Sequence, residues 1–328
     1  MSFDLCGIGN ACIDITAHVD DAFLAQWNYP KSICTYLLLD EANRLEAALT
    51  DPAYIPGGCA ANVAATISAL GGKSAFMGRL AKDTVGAKFL KDLETRNIRY
   101  IANASPDNET GSTRVFALIT PDKERTFATY YGVQEDIDDS DLDELAIRQS
   151  NFLYLDGYAL NSRKGGHVFL NAAATAHSAD KLVAFAPSDL SILDKYSAAV
   201  NAIIDVSDVI LCNKQEALLL SQTDNLQDAI KFLQGMFARG SVTVGDQGAY
   251  VFDKSTAHHI PAATLPGPMV DTNGAGDAFA GGFLYGLSNN MRLEQAARLG
   301  NLCAAAIITR AGARPAPDCQ PLLKALAA

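Results

Sequence analysis

Asp271-Thr272-Asn273-Gly274-Ala275-Gly276-Asp277 runs directly into Ala278-Phe279 and an alanine- and glycine-rich apolar stretch that ends near residue 288. Small residues let a backbone approach a bound group closely, and the apolar run after them reads as a helix, so this loop delivers a helix N-terminus. The amides of Gly274, Ala275 and Gly276 then point outward and form an anion hole, suited to the charge on a phosphoryl group in transfer. Asp277 stands at the same spot, placed to accept a proton from an attacking hydroxyl. An isolated Gly-x-Gly-Asp reads as an acid complementing the helix dipole. Asp271, six residues upstream in the same tight loop, tips the reading towards catalysis.

Before this loop, the chain alternates strand and helix. Strands are expected at 152–155, 182–185, 209–211 and 241–244, with helices near 163–178, 197–204, 214–221 and 225–238. Two long helices, near 275–288 and 293–309, complete the pattern. Such alternation predicts an α/β fold with a largely parallel central sheet and helices on both faces. The first half adds strands at 3–8, 15–19 and 74–77 and helices from Asp40 to about Leu49, Cys59 to Leu70 and Asp83 to Asn97. The segment 98–134 differs: its β-branched and aromatic runs 113–120 and 125–131 meet at Pro121-Asp122-Lys123 as a hairpin. With part of 15–39 it is expected to form a small β-rich lid on a single domain spanning 1–328.

Composition narrows the setting. The net charge of −11 argues against unspecific binding to nucleic acid or an anionic membrane. Seven cysteines, an odd number without a C-x-x-C pair, argue for free thiols and a cytoplasmic location. No run approaches the ~20 apolar residues of a membrane span. His258-His259 reads as a solvated turn, not a metal site. Two phosphate-loop decoys fail. Gly72-Lys73-Ser74 has Ile67 where a Walker loop needs glycine and follows a helix instead of a strand. Gly7-Ile8-Gly9 has Cys12 at the third glycine position of a dinucleotide fingerprint, and no helix follows.

D-T-N-G-A-G-D-A-F at 271–279 resembles the C-terminal signature of the ribokinase-like family, the PfkB carbohydrate kinases, which includes adenosine kinases. Gly57-Gly58-Cys59-Ala60-Ala61-Asn62 is similar to its G-G-x-x-x-N, Asn213-Lys214-Gln215-Glu216 to its N-x-x-E, and 243–248 to its T-x-G-x-x-G loop. Gly7-Ile8-Gly9-Asn10 with Asp14 resembles its opening strand and substrate aspartate. The resemblance implies an ATP-dependent kinase with Asp277 as base, the 274–276 amides as anion hole and Arg125 reaching the transferring phosphate from the lid. It implies that Asn10, Asp14, Gly57, Gly58 and Asn62 hold the acceptor, and that Thr243, Gly245, Gly248 and Asn301 line the adenine and ribose of ATP. Asn213 and Glu216 would organise Mg²⁺ and phosphate through water; a helix-capping pair is the alternative reading. Asp271, with carbonyls near Asn273 and from 307 to 312, would hold a monovalent cation such as K⁺. Family members range from monomers to homodimers.

The opening Gly9-Asn10-Ala11-Cys12-Ile13-Asp14-Ile15, the turn Pro121-Asp122-Lys123-Glu124-Arg125-Thr126 and Tyr130-Tyr131-Gly132 look most like adenosine kinases. That makes the 5′-hydroxyl of adenosine the expected acceptor. Tyr158 is a candidate platform for the purine ring, or an ordinary packing residue at a strand end. Ribokinase- and fructokinase-like sugar kinases and inosine or guanosine kinases share the catalytic motifs. A non-catalytic nucleotide-binding protein on the same fold is the reading from another class.

Overall fold

Strongly apolar runs supply the strands of a large sheet. The computed structural model describes residues 2–101 and 110–327. In chain order the strands are β1 (Phe3–Ile8), β2 (Cys12–His18), β3 (Cys34–Tyr36), β4 (Ala53–Pro56), β5 (Ser74–Met77), β6 (Arg99–Ile101) and β7 (Thr113–Ile119). They continue as β8 (Arg125–Tyr130), β9 (Ser150–Asp156), β10 (Leu182–Ala186), β11 (Val209–Asn213), β12 (Arg239–Thr243), β13 (Ala249–Asp253) and β14 (Ala257–Ile260). Nine of them form one sheet in the order β14-β13-β12-β11-β10-β9-β1-β5-β6. All its pairings from β12 to β6 are parallel, and the β13–β14 hairpin adds an antiparallel edge.

The central strands are buried on both faces, as a parallel sheet requires. Phe152 and Tyr154 of β9 face one core while Leu153 and Leu155 face the other, and β10 and β11 alternate in the same way. The first core is closed by the helices Cys59–Ala69, Ala275–Ser288 and Leu293–Ile307 through Val63, Ile67, Phe279, Phe283 and Ala297. The second is closed by Gly165–His177, Ser197–Asp205 and Leu226–Met236 through Phe169, Ile203 and Leu233. This is the ribokinase-like α/β architecture that the motifs imply.

The small sheet has five strands in the order β3-β8-β7-β2-β4. The hairpin β7–β8 forms as expected, but the borders of the β-rich part differ. Strand β2 begins at Cys12, β4 belongs to the small sheet, and β6 is an edge of the large one. Part of the expected lid, 102–109, lies outside the described residues. His258 and His259 are not in a turn: they sit on the edge strand β14, where His259 packs on Tyr250 with ring centroids 4.7 Å apart. Strands as short as β3, β4 and β14 give too few alternations to be read by period. All seven cysteines are free thiols. No described helix is long and apolar enough to cross a membrane.

Candidate active site

The parallel strands all point their C-terminal ends at one crevice, where ligands bind in open α/β sheets. Asp156 ends β9, Asn213 ends β11 and Thr243 ends β12. The small sheet stands over the same end through β2. Between the two sheets lies a cavity of about 700 Å³, lined by Asn10, Asp14, Gly58, Asn62, Arg125, Asp277 and the aromatic rings of Tyr36, Phe127, Tyr131 and Tyr158. A second cavity of about 140 Å³ is lined by Asn213, Glu216, Thr243, Gly276 and again Asp277. Asp277 therefore faces both.

Asp277 lies in the first turn of the helix Ala275–Ser288. Gly274 caps that helix at φ 75°, and a Cβ on it would come within 2.6 Å of the Ala313 side chain, so glycine is needed for both reasons. The Ala275 amide donates to the Thr272 carbonyl at 3.3 Å, so the hole that the sequence suggested is not made of three free amides. Gly276, by contrast, borders the smaller cavity, and a Cβ there would meet open space. Asn62 Nδ2 donates to Asp277 Oδ2 at 2.7 Å. Burial pushes the Asp277 carboxyl up to about 6; Asn62 opposes the rise and the neighbouring Asp156 adds to it. A carboxyl so tuned is a competent proton acceptor near neutral pH.

Asp14 projects from β2 against the glycine pair. A Cβ on Gly57 would sit 2.6 Å from Asp14 Oδ1. Burial raises the Asp14 carboxyl to about 7, with Arg314 pulling it down and Asp277 and Asp271 pushing it up. Gly57 itself does not border the cavity: its amide donates to the Cys12 carbonyl at 2.9 Å and its carbonyl accepts from Arg314 at 3.0 Å. Gly58 does border it, at φ 86°. Asn62, expected to hold the acceptor, has both ends of its amide committed, one to Asp277 and the other to Arg314. Its place is beside the base. Asn10 borders the cavity, and its Oδ1 is buried with no hydrogen-bond partner among the described residues.

The Asn213–Glu216 pair meets both readings at once. Asn213 Oδ1 accepts from the Glu216 amide at 3.0 Å while Glu216 accepts from the Asn213 amide and Nδ2 at 2.9 and 2.8 Å, a reciprocal helix cap. Yet both residues line the smaller cavity beside Asp277. Burial pushes Glu216 up to about 7, and among the described residues it has no ion-pair partner. Of the four residues expected around the nucleotide base, Thr243 lines that cavity. Gly245 faces open space nearby, at φ 65°. Gly248 and Asn301 border neither cavity; Asn301 Nδ2 donates to the carbonyls of Ile260 and Pro261 at 3.2 and 2.8 Å, bracing the backbone against which Gly248 packs.

Arg125 Nη2 donates to Asp271 Oδ1 at 2.8 Å. The same oxygen accepts from the Asn273 amide at 2.9 Å and Oδ2 accepts from the Gly312 amide at 3.3 Å. Partial burial works to raise the Asp271 carboxyl, but these three donors outweigh it and hold the carboxyl below its usual value. The Ile308 carbonyl is likewise taken, by the amides of Val270 and Asp271 at 2.8 and 3.2 Å. A monovalent cation at this point would have to share its ligands with Arg125 and these amides. Sequence reading missed Arg314 and Asp156. Arg314 follows Ala311-Gly312-Ala313 outside any motif, and its partners Gly57, Asn62 and Asp92 are more than 200 positions away. No local signal could have found it.

The chain matches the model of the pfkB family carbohydrate kinases over residues 32–319. It superposes on the adenosine kinase from Sinorhizobium meliloti with a TM-score of 0.91, at 29% identity over 100% of both chains. It is 30% identical to the aminoimidazole riboside kinase of Salmonella typhimurium over 285 residues, 80% of this chain and 86% of that one. It is also 28% identical to the probable fructokinase-5 of Arabidopsis thaliana over 288 residues, 82% of this chain and 88% of that one. With the crevice, the shared aspartate and these matches in view, the chain belongs to the pfkB family of carbohydrate kinases and is a phosphotransferase that acts on a hydroxyl group.

Proposed function

We propose that this enzyme transfers the γ-phosphoryl group of ATP to the 5′-hydroxyl of adenosine. The observation that carries the reading is the size and lining of the cavity next to Asp277. At about 700 Å³, with Tyr36, Phe127, Tyr131 and Tyr158 on its walls, it offers room and aromatic faces beyond what a lone sugar ring fills. The likeness to the Sinorhizobium adenosine kinase supports it. A sugar kinase is the second reading, supported by the likeness to the Arabidopsis fructokinase.

In this reading Asp14 grips the ribose 2′- and 3′-hydroxyls, which aims the 5′-hydroxyl at Asp277. Asp277 Oδ2 is held by Asn62 and the Cys59 thiol also hydrogen-bonds the carboxyl, which orients the group that takes the proton. The Gly276 amide and the positive end of its helix receive the developing charge. Arg125 has donors beyond the one given to Asp271, and these suit the phosphoryl oxygens. Mg²⁺ fits the smaller cavity on one observation: Glu216 is a buried carboxylate facing it without a cation partner among the described residues. Asn213 and Glu216 would hold it through water, and when bound with ATP it neutralises phosphate charge.

The test compares kcat/KM for adenosine, 2′-deoxyadenosine, ribose and fructose in wild type and Asp14→Ala. A lost charge-assisted hydrogen bond of ~1.5–3 kcal/mol corresponds to roughly ten- to hundredfold in kcat/KM. Loss of that size is expected for 2′-deoxyadenosine in wild type and not in Asp14→Ala. Efficient turnover of fructose or ribose with none of adenosine would establish the sugar-kinase reading in its place.

A further inference from the structure

We propose that Arg314 is a positioning residue, which aligns Asp277 for proton transfer by locking the side-chain amide of Asn62. The proposal rests on the reading of Asp277 as the base. Arg314 is 5% exposed and lies in the loop after the helix Leu293–Ile307. Its guanidinium uses three donors on three separate parts of the fold. Nη1 donates to Asn62 Oδ1 at 2.6 Å, Nη2 to the Gly57 carbonyl at 3.0 Å and Nε to Asp92 Oδ2 at 2.9 Å. The group also lies over the Phe89 ring, 5.5 Å from its centroid.

The geometry has a directional consequence. An asparagine amide has one acceptor end and one donor end. With Oδ1 fixed on a cation that can only donate, Nδ2 must point the other way, to Asp277 Oδ2 at 2.7 Å. Without Arg314 the amide is free to rotate, and the base loses its fixed orientation. The Gly57 contact extends the same alignment to Asp14, whose Oδ1 lies against that glycine. One rigid fork thus sets the distance between the group that takes the proton and the group that grips the acceptor. Lysine's three donors radiate from one nitrogen and cannot reach three separated partners in one plane.

Charge adds a second signature. The groups facing Asp277 are Asn62 and Cys59 from the helix Cys59–Ala69, Asp156 from β9 and Arg314 from its loop; those facing Asp14 are Arg314, Asp277 and Asp271. Arg314 is the cation that favours the ionised form of both carboxyls. Asp92, the partner of its Nε, also accepts from Arg96 Nε at 2.7 Å, so losing Arg314 does not strand a carboxylate.

The experiment measures kcat, KM for ATP, thermal unfolding and the pH profile of kcat/KM for Arg314→Met, Arg314→Lys and Asp277→Asn. Misalignment at the reacting centre should lower kcat ~10- to 100-fold in both arginine variants, with KM for ATP unchanged because Arg314 borders neither the smaller cavity nor Glu216. The acid limb of the profile should move to higher pH in Arg314→Met and stay in place in Arg314→Lys, which keeps the charge. If Arg314→Met does not fold, Arg314→Lys decides. Wild-type kcat in Arg314→Lys, or a loss of kcat that merely tracks the folded fraction, overturns the proposal. An active Asp277→Asn would instead remove the base reading, so the two failures are distinguishable.

Discussion

Arg125 of β8 donates to Asp271 Oδ1 at 2.8 Å, which ties the small sheet to the loop that carries Gly274, Gly276 and Asp277. The pair is partly exposed, at 35% and 15% of the two side chains, so its contribution to global stability is about 1 kcal/mol or less. Both residues line the cavity, so the contact joins the small sheet to the catalytic loop at its edge.

Arg125→Ala should therefore change unfolding temperature little and lower kcat/KM for the acceptor at least ~10-fold, as the loss of a charged donor to phosphate does. In wild type, hydrogen exchange in the β7–β8 hairpin should slow when acceptor and a non-hydrolysable ATP analogue are added together. Equal exchange with and without ligands would mean that the small sheet does not close as a lid.

Asp277→Asn should lower kcat by ~10²–10⁴, the usual worth of a general base. ATP affinity should survive, because the substitution keeps the side chain's shape. Single-turnover rates with ATP-binding titrations make the comparison, and near wild-type rates would remove Asp277 from the proton path.

Activity and stability should respond to pH in opposite senses. Burial raises Asp14 and Glu216 to about 7 and Asp277 to about 6, all above their unfolded values near 4. Groups with raised folded values contribute stability below the unfolded pKa and lose it as pH rises through the folded one. Unfolding free energy from these groups should thus decline from about pH 4 to 7 while kcat/KM rises as Asp277 ionises. Parallel denaturant titrations and rate profiles over that range provide the check, and a rate already at its plateau at pH 5 would contradict the raised Asp277.

Glu216→Gln should raise the Mg²⁺ concentration needed for half-maximal rate. The helix cap should survive in part, since glutamine still accepts from the Asn213 amide. An unchanged Mg²⁺ titration would leave Glu216 with the cap alone.

Gly57→Ala should weaken acceptor binding more than it weakens the fold. The new Cβ would lie 2.6 Å from Asp14 Oδ1, so the carboxylate has to shift from its place on the cavity wall. Acceptor KM should rise several-fold with a modest fall in unfolding temperature; an unaltered KM would show that Asp14 is not the gripping group.

The sequence alone determined the layered architecture, because β9, β10 and β11 carry apolar residues on both faces and the runs between them have helical length. It also determined the helix start at 274–277, because glycine at Gly274 and Gly276 followed by an apolar run is a local signal. Short edge strands such as β4 and β14 stayed hidden, since their pairing depends on the neighbouring strand and not on their own period. The tertiary structure alone decided the partners of the base. Asn62 could be read as a motif residue, but not that its amide points to Asp277, 215 positions away, or that Arg314, 252 positions away, fixes it there. Likewise Asn301 proved to brace the 260–261 backbone. Hydrogen bonds between residues so distant in the chain arise only once the helices Cys59–Ala69 and Ala275–Ser288 pack together on the sheet, and no local pattern encodes that meeting.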